Sequence, residues 1–144
     1  MMSKQKETVL LYAELINTGQ FERFSEVMED DFEFENSEGE GAKGIETMKV
    51  AWKNFRNNLG GEGVFSWDMK EMFEEGNVVT ATWVIRARQD GVFKGYAPTQ
   101  RSADYPGMSL YRFNDNGKLS YFFGYPGTLK FLQDLKLFCV PSHG

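Results

Sequence analysis

Met108-Ser109-Leu110-Tyr111-Arg112-Phe113-Asn114-Asp115-Asn116-Gly117-Lys118-Leu119-Ser120-Tyr121-Phe122-Phe123-Gly124-Tyr125 is the stretch on which the fold turns. Asn, Asp and Gly accept the left-handed backbone of a tight turn, so Asn114 to Gly117 predicts a hairpin. Met108 to Phe113 and Leu119 to Tyr125 are then its two strands, and Pro126-Gly127 breaks the second. Upstream the same grammar repeats. Val78 to Gln89 is long and rich in β-branched residues, which predicts a strand between the turns Glu75-Gly76-Asn77 and Asp90-Gly91. Before it Phe65, Trp67 and Met69 alternate with Ser66, Asp68 and Lys70. The C-terminal half therefore reads as a run of antiparallel strands.

The N-terminal half has a period nearer four. Val9, Tyr12, Ala13 and Ile16 form the stripe of an amphipathic helix, with Ser3 as N-cap and Gly19 at its C-terminal end. Phe21, Phe24, Val27 and Met28 mark a second short helix, and Phe32 and Phe34 a short strand. Asn36 to Lys43 is polar and reads as a loop. Ile45, Met48, Trp52, Phe55 and Leu59 give a third helix with a wide apolar face, ended by Gly60, Gly61 and Gly63. Leu129, Leu132 and Leu135 suggest a short closing helix. Helices first and hairpins later predict an α+β class: N-terminal helices packed on a curved antiparallel or mixed sheet that encloses a pocket. The expected boundaries are one domain over 1–144, with a core of about 7–137 and a tail over 138–144.

Composition narrows the function. Net charge is −5, and no basic cluster exceeds a pair, which argues against nucleic acid as partner. No stretch approaches the ~20 apolar residues of a membrane span, and the first residues lack a signal peptide's apolar run, so a cytoplasmic protein is expected. Cys139 is the single cysteine, so an intrachain disulfide is impossible, and it reads as a packing residue. With no ligand set for zinc and no phosphate loop, no cofactor is expected. Aromatic residues are 15% of the chain, enough to line a pocket for a planar apolar molecule as well as a core.

Three motifs are familiar in their order. They are Glu29-Asp30-Asp31-Phe32-Glu33-Phe34 after two helices, Gly95-Tyr96-Ala97-Pro98-Thr99-Gln100-Arg101, and Arg112-Phe113-Asn114-Asp115-Asn116-Gly117-Lys118-Leu119. The chain resembles the SnoaL-like polyketide cyclases of the nuclear-transport-factor-2-like (ketosteroid-isomerase-like) superfamily over roughly Glu7 to Leu137. Members commonly read G-x-x-P-T-G-[KR], then R-F-x-D-G-K-I, then a short helix ending near Q-x-L-G. Here Phe131 to Lys136 fits that helix except for its glycine, and Gln100 replaces the glycine of P-T-G. The resemblance implies a cone-shaped fold, a homodimer and a small-molecule ligand. It also implies an aspartate near the end of the last strand as general acid or base, yet that position falls at Gly124 or Gly127 here. A histidine common in the early strand is absent from Phe34-Glu35, and the single histidine is His143.

Two functions follow. One is a cyclase or isomerase acting on a small apolar carbonyl or polyketide-like compound with a relocated acid, Asp104 or Glu35. The other is a non-catalytic small-molecule-binding protein of the same fold. Asp104 also reads as a turn residue before Pro106, and Glu33, Glu35, Glu38 and Glu40 together read as a solvated edge. Arg86 is either an anion clamp or part of a polar outer face. Trp52, Phe55, Trp83, Tyr111, Tyr121 and Phe123 are the expected aromatic ligand contacts, with the tyrosines able to offer a phenol to a carbonyl. The apolar residues Val78, Val84 and Leu110 are expected on a sheet face used for dimerisation.

Overall fold

In a computed structural model, residues 2–138 are described. Expectations about Cys139, His143 and most of the tail lie outside them. The order is α1 (Lys4–Asn17), a 3₁₀ turn (Phe21–Glu26), β1 (Met28–Asn36), β2 (Gly41–Lys43), α2 (Ile45–Asn58), β3 (Ser66–Glu75), β4 (Val78–Arg88), β5 (Ser102–Phe113), β6 (Leu119–Pro126) and α3 (Thr128–Asp134). The strands form one open six-stranded sheet in the order β2-β1-β6-β5-β4-β3. β1 runs parallel to β6, and every other pair is antiparallel. The sheet is thus mixed, and the helices pack against it in the expected α+β arrangement.

Sequence chemistry accounts for the elements. The Ser3 hydroxyl accepts the Lys6 amide at 3.1 Å and caps α1. α1 turns Val9, Tyr12, Ala13, Leu15 and Ile16 inward, and Gly19 leaves it with φ 71°. Along β4 the buried residues are Val79, Ala81, Trp83, Ile85 and Ala87, every second position. That alternation puts one face of the sheet on the helices and turns the other outward.

Three details differ from the sequence reading. Gly41–Lys43 pairs with Glu33–Glu35 as a short edge strand, although it reads as loop. Its three residues are too few to show a period. The second helix is a single 3₁₀ stretch, because Met28 already belongs to β1. β5 begins at Ser102, six residues before the expected Met108, and runs through Pro106. β6 pairs with β5 only from Gly107 onward, so the missing N–H of Pro106 falls where β5 has no strand partner on that side, and only its carbonyl is used there, accepting the Gly127 amide at 2.7 Å.

Among the described residues no helix is long and apolar enough to cross a membrane.

Candidate functional site

Between α2 and the sheet lies a cavity of about 410 Å³. Trp52 and Phe55 reach it from one face of α2, since they are three residues apart. Trp83 and Ile85 come from β4, Trp67 from β3, Phe34 from β1 and Phe122 from β6, each at an inward strand position. Phe93 and Tyr105 complete the aromatic wall.

Beneath these walls the rings close on one another. Tyr12 is fully buried and its hydroxyl accepts the Trp52 indole N–H at 2.7 Å. Burial drives the Tyr12 phenol well above its ordinary value, against that hydrogen bond, so it stays protonated. Trp67 stacks on Trp52 with centroids 5.0 Å apart and meets Trp83 edge-on at 5.8 Å. The Trp83 indole donates to the Ser109 hydroxyl at 2.7 Å. Gly107 makes room for that ring: a Cβ there would lie 2.3 Å from the Trp83 Cη2.

Polar groups gather at one side. Glu38, Glu40, Asn36 and Lys94 line the cavity there. The Glu38 carboxylate accepts the Thr128 hydroxyl at 2.9 Å and the Lys94 ammonium at 3.2 Å. Glu40 takes Lys94 and the Asn36 amide, which hold its carboxyl below the ordinary value against partial burial. The Tyr105 phenol lies 2.6 Å from the Thr128 hydroxyl. Burial raises it well above the ordinary value, and the charges of Glu38 and Glu40 add to the rise.

Of the expected ligand contacts, Trp52, Phe55 and Trp83 line the cavity. Tyr111 is fully buried beneath it, edge-on to Tyr12 and Phe122. The other expected residues lie on the opposite face, for reasons of strand parity. Tyr121 and Phe123 flank the inward Phe122; the Arg112 guanidinium covers the Tyr121 ring, and Phe123 packs against Tyr125. Arg86 is exposed, 3.6 Å from Asp68, and opposite Asp104 across the β4–β5 ladder. Asp104 is itself exposed, one position from the inward Tyr105, and is neither a cavity acid nor a turn residue. Glu35 is exposed beside the cavity-lining Phe34. The acids expected to replace the missing aspartate therefore both face away from the cavity.

Gly124 does line it, and a Cβ there would sit 3.2 Å from the Phe122 ring. Gly127 is held by packing, since a Cβ would meet the Pro106 carbonyl at 2.9 Å. Sequence reasoning missed Phe34, Phe93, Tyr105 and Phe122 as wall and Glu38, Glu40 and Lys94 as the polar side. Alternation around Phe122 could have indicated Phe34 and Phe122. The charged residues sit in loops, where no period reports direction. Among the described residues no His, Cys, Asp and Glu side chains gather as a metal site.

Solved structures similar to this chain share its fold. A candidate SnoaL-like polyketide cyclase from Jannaschia sp. CCS1 superposes with a TM-score of 0.80 at 18% identity, covering 94% of each chain. TsrD from Streptomyces laurentii gives 0.81 at 16% identity, over 96% of this chain and all of that one. AclR from Streptomyces galilaeus, a candidate hydroxylase, gives 0.78 at 16% identity over 96% of this chain and 100% of its own. No match is found among curated proteins. The family model for SnoaL-like polyketide cyclases matches residues 6–134, nearly the whole chain, and on that match the protein belongs to the SnoaL-like polyketide cyclase family.

Proposed function

We propose that this chain binds a small, largely apolar carbonyl or polyketide-like molecule in the cavity between α2 and the sheet. One observation carries the reading: a space of about 410 Å³ walled by Phe34, Trp52, Phe55, Trp83, Phe93 and Phe122, with charged groups on one side only. Aromatic walls reward a planar ligand by area and ring contact, and a few polar groups orient its oxygen. Trp52 and Trp83 report occupancy. Titrating the protein with aromatic ketones should quench tryptophan fluorescence and raise Tm. A diverse set that does neither removes the support.

The outward sheet face favours a second copy of the chain as partner. Met108 and Tyr125 are 51% and 57% exposed there, beside Val84 and Leu110. That much apolar surface on one face favours self-association. Light scattering at micromolar concentration should give twice the 16.5 kDa chain mass, and a monomer contradicts the homodimer.

A further inference from the structure

The cavity has no carboxylate at Gly124, but it has one elsewhere, and the hydrogen bonds around it have a direction. A hydroxyl owns one proton. The Thr128 hydroxyl donates to Glu38 at 2.9 Å, so across the 2.6 Å contact Tyr105 must be the donor. The chain runs Tyr105 to Thr128 to Glu38, each proton pointing at the carboxylate. Both hydroxyl-bearing residues are buried, and Tyr105 is pinned flat on Phe131 with centroids 4.4 Å apart. These contacts fall on Glu38 Oε1; among the described residues no hydrogen bond is made to its Oε2.

Lys94 pairs with the same carboxylate oxygen. It is the one cation among the described residues lining the cavity, and it bridges Glu38 and Glu40. Its backbone is held at φ 50°, a conformation lysine adopts reluctantly. The Glu38 side chain keeps 31% exposure, enough to exchange a proton with solvent.

We propose that Glu38 is the proton-transfer group of this cavity, with Thr128 and Tyr105 as its positioning residues and Lys94 as the cation beside it. The proposal rests on the cavity being the ligand site. With a ketone bound, the carboxylate takes a proton from the carbon next to the carbonyl. The C–H electron pair becomes the C=C bond and the carbonyl π pair moves to oxygen, giving an enolate and a protonated Glu38. Return of a proton to carbon restores the ketone, or to another position gives an isomer. No oxidant or metal enters the balance. Lys94 is near enough to the carboxylate to offset the negative charge that then appears on the ligand.

The test uses 2-tetralone in D₂O, with exchange of its C1 protons followed by NMR and binding followed separately by tryptophan quenching. The wild-type chain should accelerate exchange. Glu38→Gln should lower the protein-dependent rate at least tenfold with binding retained, and Glu38→Asp should keep part of it. Thr128→Val should reduce the rate several-fold at unchanged affinity, with Thr128→Ser restoring it; a purely structural role would not divide rate from affinity in this way. Equal exchange by wild type and Glu38→Gln overturns the proposal and leaves the pocket standing. So does binding without any acceleration by wild type, or a loss that follows Asp104→Asn or Glu35→Gln instead. Absence of quenching overturns the pocket reading, and the proton-transfer role with it.

Discussion

Around Tyr12, beneath the cavity, the rings of Phe24, Phe32, Trp52, Trp67, Tyr111 and Phe122 lie between 5.7 and 6.5 Å away. Around Lys94, at the charged side, the neighbours are two carboxylates, and the Phe93 ring lies 5.8 Å off. The first region is held by area and shape, the second by charges that water can reach. Dispersion between close-packed rings is lost whenever one is removed, because nothing refills the space. Ion pairs at a surface are replaced by water at little cost. Stability should therefore reside in the aromatic floor and the proposed proton transfer in the charged side, and substitutions can separate the two.

The largest effect is expected in the floor. Trp67→Ala removes a side chain that is 2% exposed and touches Tyr12, Trp52 and Trp83, and should cost about 3–5 kcal/mol in urea unfolding. A loss below about 1 kcal/mol would break the contrast. Next comes Gly107→Ala, whose methyl group overlaps the Trp83 ring. Overpacking of that kind costs about 1–3 kcal/mol, and near-ultraviolet dichroism should show the indole displaced.

Gln89 sharpens the comparison, for it is polar and yet fully buried. Its side-chain amide donates to the Tyr96 and Ala97 carbonyls at 3.1 and 3.0 Å and accepts the Thr99 amide at 3.2 Å. Gln89→Ala strands these backbone groups and should cost about 1–2 kcal/mol. Hydrogen exchange should rise at the Thr99 amide and leave β6 unchanged.

The smallest effect belongs to the charged side. Glu40→Gln should change stability at pH 7 by less than about 1 kcal/mol. Lys94 and Asn36 hold the Glu40 carboxyl below its ordinary 4.5, so its contribution is complete above that value and fades as pH falls further. Melting curves of wild type and variant should converge in that acid window. Curves that stay parallel from pH 7 to pH 3 would remove the ion pair from the account.

This division also explains what was legible in the sequence. Trp52 and Phe55 were readable as cavity wall because a helix repeats every 3.6 residues, so their shared face follows from spacing alone. Trp83 was readable from the alternation of β4. Tyr121 and Phe123 were misplaced by one step: in Tyr121-Phe122-Phe123 all three residues are aromatic, and composition cannot say which parity faces inward. The partner strand decides it, since Phe34 pairs with Phe122 and stacks on it at 5.1 Å. Asp104 was misread for a similar reason, because Pro106 suggests a turn and hides the strand that points the aspartate outward. Glu38 and Lys94 were invisible, because each is brought to the cavity by a loop whose path depends on contacts far along the chain.

One of those contacts bears on time rather than on energy. The segment from Asp90 to Arg101 carries Val92, Phe93 and Lys94 to the cavity, and loops beside a binding site can act as hinged covers. Here its ends are tied down: Asp90 and Gly91 donate to the Asn58 carbonyl, Gln100 to the Gln89 carbonyl, and the Gln89 side chain grips the middle. A cover so fastened should stay in place. Ligand entry should then need no preceding rearrangement, and stopped-flow quenching should show a single phase whose rate rises linearly with ligand concentration, without a plateau. Residence would be governed by how well the guest fits the rings, so close analogues should differ in how fast they leave and scarcely in how fast they arrive.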